Sequence, residues 1–386
     1  MIDHLAILAP GLLGASVAKP HTTAPRHFTM KHIIAIILAL ALAATTNAAA
    51  SPINHVLGEA TNLSPTTIYS GGGSANALLI GKASLDSLAN RFNAATSDYA
   101  STYLLSDTYD AYEGILNSWT SILRRYDNLK APIYDGAKSA TTGAQAGIGL
   151  SADFEGMLVI LGAFIDYAQN DMDCPQSIGM TNATTKATGF GLHFGMRERT
   201  TALRLYWESI VRYAKESHDI TPPGARTFGA SGNSLAASLT MGCIVTKKPN
   251  WKESPNWNLE PQLRLAYQTH KIGNLTDPLG QRYDINRAES LETQATLRVW
   301  RKFEWRKNLY LTPHARAGAA HEALGKTKVH VAGDTIENNL SGLGAVLEAG
   351  AVMQFGRGVY AVASVVWYKT RKLESLALDA TLGFRW

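Results

Sequence analysis

Cysteine is almost missing from this chain: Cys174 and Cys243 are the only two. Two cysteines make no disulfide framework of the kind small exported domains use. A surplus of one charge is missing too. The chain carries 36 basic and 31 acidic residues, for a net charge of +5. No dense basic run appears, which argues against a nucleic-acid partner. Past residue 50 there is no apolar run long enough for a membrane helix, which takes about 20 residues. That excludes a helical membrane domain but not a membrane barrel, whose strands hide hydrophobicity in alternation. Catalytic motifs are also absent. There is no Gly-x-Ser-x-Gly elbow, no His-Glu-x-x-His zinc motif and no nucleotide-binding loop. The chain is expected not to be an enzyme and to need no metal or cofactor. The stretch GASGNS at 229–234 reads as a solvated turn. A rim protease built from Asp173, His218, Asp219, His270 and His321 is the one catalytic alternative.

What is present begins with MKHIIAIILALALAATTNAAASP, starting at Met30. Lys31 gives a positive start, Ile33 to Ala44 form an apolar run, and small residues follow. This is the layout of a secretory signal over 30–50. Ala48, Ala49 and Ala50 mark the cleavage region. Residues 1–29 read as upstream sequence from a misassigned start. Residues 51–97 read as a short passenger or linker, polar and broken by Gly71-Gly72-Gly73.

A helical period follows. Leu105, Tyr109, Tyr112, Leu116, Trp119, Leu123 and Tyr126 recur at steps of four and three. Asp107, Asp110, Glu113, Ser118 and Arg125 take the other face. The spacing predicts an amphipathic α-helix over 98–127.

From 128 to 386 the period is two. In WNLEPQLRLAYQTH, residues 257–270, Trp257, Leu259, Leu263, Leu265 and Tyr267 alternate with Asn258, Glu260, Gln262, Arg264 and Gln268. About twelve such segments are expected, at 129–135, 142–153, 157–169, 187–197, 201–215, 233–247, 257–270, 290–301, 308–321, 340–355, 358–370 and 375–386. Most exceed the usual length of strands in soluble sheets and suit a tilted membrane strand. Tight turns near 155, 199 and 356 alternate with long loops at 170–186, 216–232, 271–289 and 322–339. Short turns on one side and long loops on the other mark an outer-membrane barrel. The fold class expected is all-β, an antiparallel transmembrane barrel of about twelve strands preceded by an α-helix.

On those strands Arg204, Glu208, Arg212, Glu260, Gln262, Arg264, Gln294, Arg298, Arg316 and Glu348 fall on the polar face and are expected to line the lumen. Cys243 falls on the lipid face with Leu239 and Met241. The short-turn side carries Arg197, Arg199, Lys247, Lys248, Lys252, Arg301, Lys302, Arg306 and Lys307, placed to meet anionic lipid heads.

The region from Leu129 to Trp386 resembles the translocator barrel of autotransporters, the type V secretion family of Gram-negative bacteria. The opening hairpin TTGAQAGIGLSADFEGMLVILGAFIDYAQND, the strand with Glu260-Pro261-Gln262, and YLTPHARAGAAHEALGK with the closing LDATLGFRW carry the likeness. The resemblance implies a twelve-stranded barrel with a helix threaded through its pore, in the outer membrane. It implies passage through the inner-membrane secretion channel, periplasmic chaperones and the barrel assembly machinery. That machinery reads a C-terminal strand, here Leu382, Phe384 and Trp386. The function expected is a monomeric barrel that exports or displays its own short N-terminal segment at the pore, periplasm or cell surface. A passenger-less pore and a loop-based adhesin are the alternatives.

Overall fold

The computed structural model describes residues 115–386, apart from stretches at 132–133, 155, 177–178, 199–202, 246–256, 279, 281, 286, 332–333, 357 and 386. The leader, the cleavage region, segment 51–97, the expected helix over 98–114, and Trp386 lie outside the described residues.

All described strands belong to one antiparallel sheet. Twelve long strands make its wall. They are β1 Ile115–Ala131, β2 Tyr134–Phe154, β3 Met157–Gln176 and β4 Gly179–Glu198. Then come β5 Leu203–Thr221, β6 Phe228–Val245, β7 Asn258–Ile272 and β8 Ala288–Trp300. The last four are β9 Leu309–Glu322, β10 Gly342–Phe355, β11 Val359–Thr370 and β12 Leu373–Arg385. Shorter strands Leu275–Thr276, Arg282–Ile285, Phe303–Arg306, Lys326–Val331 and Asp334–Asn339 decorate the connections. Each long strand pairs with the next. β1 pairs back onto β12 from Asn117↔Arg385 to Leu129↔Leu373. The wall is a closed barrel with no free edge.

Alternation sorts the side chains. On β3, Leu158, Ile160, Phe164 and Asp166 are buried inward, while Leu161, Ile165 and Tyr167 are exposed outward. Ile165 is 65% exposed and Ile122 on β1 is 64% exposed. The outward apolar run on β3 goes from Met157 to Tyr167, then turns polar at Gln169, Asp171 and Asp173. Ten steps of about 3.3 Å at a tilt near 40° span roughly 25 Å, the height of a lipid-facing band.

The helix expected over 98–127 is corrected where the structure describes it: residues 115–127 are strand β1. The helical stripe divides between two faces. Leu116 and Tyr126 are exposed outward, and Trp119 and Leu123 are buried inward. β1 pairs along its length with both β2 and β12, and those two full ladders override a local helical spacing. The first strand was therefore expected at 129–135 and lies at 115–131 instead. The long loops expected at 170–186 and 216–232 are largely strand, because β2, β3, β4 and β5 run on past the apolar band. GASGNS is strand as well, part of β6.

Large inward side chains lie flat on the wall where a neighbouring strand has glycine. A Cβ on Gly191 would stand 2.3 Å from the Phe164 ring, and one on Gly383 would stand 2.1 Å from the Tyr360 ring. Neither approach leaves room for a side chain. Gly191→Val should cost about 1–3 kcal/mol through overpacking, read as an earlier midpoint in urea unfolding in detergent. Adding Phe164→Ala should recover part of the loss. Equal midpoints for the wild type and the Gly191→Val variant would show that the contact is slack.

Candidate functional site in the barrel lumen

All ten residues expected to line the lumen are buried at inward positions of β5, β7, β8, β9 and β10. The structure joins them into separate groups. Near the C-terminal end of the barrel, Glu260 is a hub. Its Oε1 accepts from the Tyr206 hydroxyl at 2.7 Å and from Gln262 Nε2 at 2.8 Å. Its Oε2 accepts from Trp300 Nε1 at 2.9 Å and lies 3.5 Å from Arg298. Further along the same row, where Glu260, Arg298, Arg316 and Glu348 lie opposite one another on four consecutive strands, Glu348 faces His314 at 3.0 Å and Arg316. Pro261 points outward, and the β6–β7 ladder skips between Gly242↔Gln262 and Val245↔Leu259. Proline has no N–H to offer there.

Further along the lumen Arg212 makes a two-pronged pair with Asp166 across β4. Nε and Nη2 each donate at 2.7 Å. Beyond it Glu216 meets His270 at 2.9 Å and His218 at 3.5 Å, and His218 Nδ1 lies 3.0 Å from Thr185 Oγ1. Where β1 meets β12, Arg125 donates to Asp127 at 2.7 Å and to Ser375 at 2.8 Å, and Ser121 donates to Asp379 at 3.2 Å. The inner wall thus offers charges of both signs, each close to an opposite charge or a hydrogen-bonding group.

Past these layers the wall turns apolar. Leu129, Met172, Ile220, Ile272, Val346 and Tyr368 form one buried cluster at the end away from the C-terminus. Leu275, Tyr283, Val329 and Leu340 join it from the connections. Two of those connections are bound to each other through Val329↔Ile285 and Val331↔Tyr283.

A protein-family model, the autotransporter β-domain, matches residues 118–365. The chain belongs to the autotransporter β-domain family. Solved autotransporter barrels share its fold. The transport unit of AIDA-I from Escherichia coli is 14% identical, with a TM-score of 0.57, over 77% of this chain and 98% of that one. The translocator domain of NalP from Neisseria meningitidis is 16% identical, with a TM-score of 0.54, over 84% and 100%. The β-domain of Bordetella BrkA is 14% identical, with a TM-score of 0.53, over 70% and 98%. No curated protein matches the chain.

This autotransporter barrel is an outer-membrane protein of the type V secretion class, and the outward apolar band is its lipid-facing surface. Leu382 and Phe384 sit on that surface of β12. Cys243 lies outward with Leu239 and Met241, as expected. The rim-protease set does not assemble: Asp173 and Asp219 point outward, His218 and His270 inward. Of the basic short-turn residues, Arg197 is buried inward, while Arg301 lies over the Phe303 ring at 4.8 Å and Lys302 over the Tyr310 ring at 4.2 Å. Arg199, Lys247, Lys248 and Lys252 lie outside the described residues. Sequence reasoning missed Asp166, His193, Glu216 and the Arg125–Asp127 pair. The period-two pattern already put Asp166 and His193 inward, whereas Arg125 was hidden by the helical spacing.

Arg212→Met leaves Asp166 buried without its partner and should destabilise by about 3–5 kcal/mol. The double variant Arg212→Met with Asp166→Leu should recover most of that in urea unfolding. Additive losses would mean the two side chains act independently.

Proposed function

We propose that this autotransporter barrel carries its own N-terminal segment through or into its lumen and displays it at the cell surface. The observation that carries the reading is where β1 begins. Ile115 starts β1 at the same end of the barrel as the C-terminus. By the rule of short periplasmic turns, that is the inner end. A chain arriving there faces a wall of Arg, Glu, Gln and His side chains, which can hydrogen-bond to a passing backbone at many heights. No nucleotide loop is present in the sequence, so barrel folding supplies the driving energy. The closing strand, with Leu382, Phe384 and Trp386, acts as the recognition element for the barrel assembly machinery, after delivery by periplasmic chaperones.

The apolar layer argues against the rival reading of an open diffusion pore. Four of its members come from connections, so it can part without unpairing the wall. The display reading is tested with an epitope tag placed between 51 and 97. Antibody should reach it on intact cells. Reaction only after permeabilisation overturns export and leaves a periplasmic segment.

The closure is tested separately. Replacing Lys326–Asn339 by a tight turn removes Val329 from the layer. Conductance of the barrel in planar bilayers should then rise several-fold. Unchanged conductance would show that the layer does not set the closure.

A further inference from the structure

We propose that the outward cavity between β5, β6, β7 and the connection to β8 binds the phosphorylated sugar headgroup of an outer-leaflet glycolipid. The cavity holds about 760 Å³. Tyr213, Leu235, Asn233, Thr269, Lys271 and Arg287 line it. Its lower part is apolar, where Tyr213 and Leu235 continue the lipid-facing band. Its upper part is polar and cationic. The cavity therefore straddles the line where acyl chains give way to headgroups.

Register places the cations. Lys215 pairs with Asn233, and Asn233 pairs with Lys271. Two strand spacings of about 4.8 Å put the two lysine backbones roughly 10 Å apart. Lys215 lies two positions beyond Tyr213 and Lys271 four beyond Tyr267. Lys186 lies on the neighbouring β4, whose pairing sets it opposite Ser217, two positions from Lys215. All three lysines are exposed outward. At about 3.3 Å per residue they stand some 5–10 Å above the aromatic level, the height of headgroup phosphates.

Arg287 is held in place rather than left to sweep the surface. Its Nε donates to Thr269 Oγ1 and lies 3.5 Å from Glu289 Oε1. Its side chain is still 61% exposed. Glu289 is itself engaged by the Tyr267 hydroxyl at 2.8 Å. Asp284, also in the lining, is the acid that opposes an anion there. Lys271 and Arg287 in the lining, with Lys215 beside them, face Asp284, while Glu289 is engaged by Tyr267 and Arg287 and Lys186 lies further out beside Asp171. A phosphate offers several acceptor oxygens to such a set, and guanidinium and ammonium donors bind it with charge-assisted bonds. Free phosphate would use only the upper half of the cavity. A lipid uses both halves, with its chains against Tyr213, Leu235 and Leu265.

The test uses the full chain purified in detergent, with native mass spectrometry as the readout and lipid A as the probe. One lipid A per barrel should be retained at low micromolar concentration. The double variant Lys271→Glu with Arg287→Glu should weaken retention at least about ten-fold, or roughly 1.4 kcal/mol. Lys271→Gln with Arg287→Gln should weaken it less. Heat-modifiable gel mobility confirms that each variant is a folded barrel, as expected for exposed positions. Equal retention by wild type and both folded variants overturns the proposal. So does displacement of lipid A by millimolar inorganic phosphate, which would mark a simple anion site. Equal binding of dephosphorylated lipid A would show that the acyl chains alone are held, and would overturn it as well.

Discussion

Every backbone N–H and C=O inside a lipid bilayer needs a partner from the protein itself. That one constraint organises this molecule. A sheet meets it only by closing, and closure here depends on the ladder between β1 and β12. The demand reaches back to residues whose own spacing suits a helix. Leu116, Trp119, Leu123 and Tyr126 would share a helical face, yet the ladder separates them onto two sides of a wall. An unpaired strand edge along the whole height of the barrel costs far more than one segment's local preference. Polar contacts on the inner side of the same seam, Arg125 to Asp127 and Ser375 and Ser121 to Asp379, add register to the closure.

Closure also fixes what the inside can be. The outward face must be apolar, so the polar content of each strand is turned inward by the two-residue period. Those groups are then confined and buried. Buried charge is tolerated only when it is paired, and the lumen obeys this along its height: Glu260 with Tyr206, Trp300 and Arg298, Asp166 with Arg212, Glu216 with His270. Some pairs skip a strand. Asp166 on β3 reaches Arg212 on β5 because Gly189 lies between them on β4, where a Cβ would stand 2.8 Å from the Asp166 carboxylate. Glycine, large side chain and ion pair are thus parts of one arrangement.

This logic explains which features could be read from the sequence. The strands from β7 to β12 were legible nearly to the residue, because their outer faces are apolar at most steps and their inner faces polar. β1 was not, because its outer face carries Ser118, Thr120 and Arg124 while its inner face carries Trp119 and Leu123. Its polarity is mixed on both sides. The outer halves of β3 and β4 were also missed. Past Tyr167 they leave the lipid band and the polarity inverts, with Gln169, Asp171 and Asp173 outward and Met172 and Cys174 inward, so the lipid-strand pattern is lost although the pairing continues from Gln169↔Lys186 to Gln176↔Gly179. The inward direction of Arg212 and of Asp166 followed from period two. Their pairing did not, since cross-strand choice depends on register, which one sequence does not state.

The two ends of the barrel differ for a related reason. β2 to β5 extend well past the apolar band, whereas β10 to β12 are much shorter. The rim is therefore tall on one side. Paired strands that rise out of lipid still have two faces, and the inner one can bury apolar side chains, as Met172 on β3 and Ile220 on β5 do. The connections carrying Leu275, Tyr283, Val329 and Leu340 complete that layer from above. A polar lumen capped by an apolar layer is the reverse of a soluble pore, whose mouths are wet. The rim steps down between β6 and β7, because β6 begins at Phe228 while its last pairing with β7 is Gly232↔Ile272.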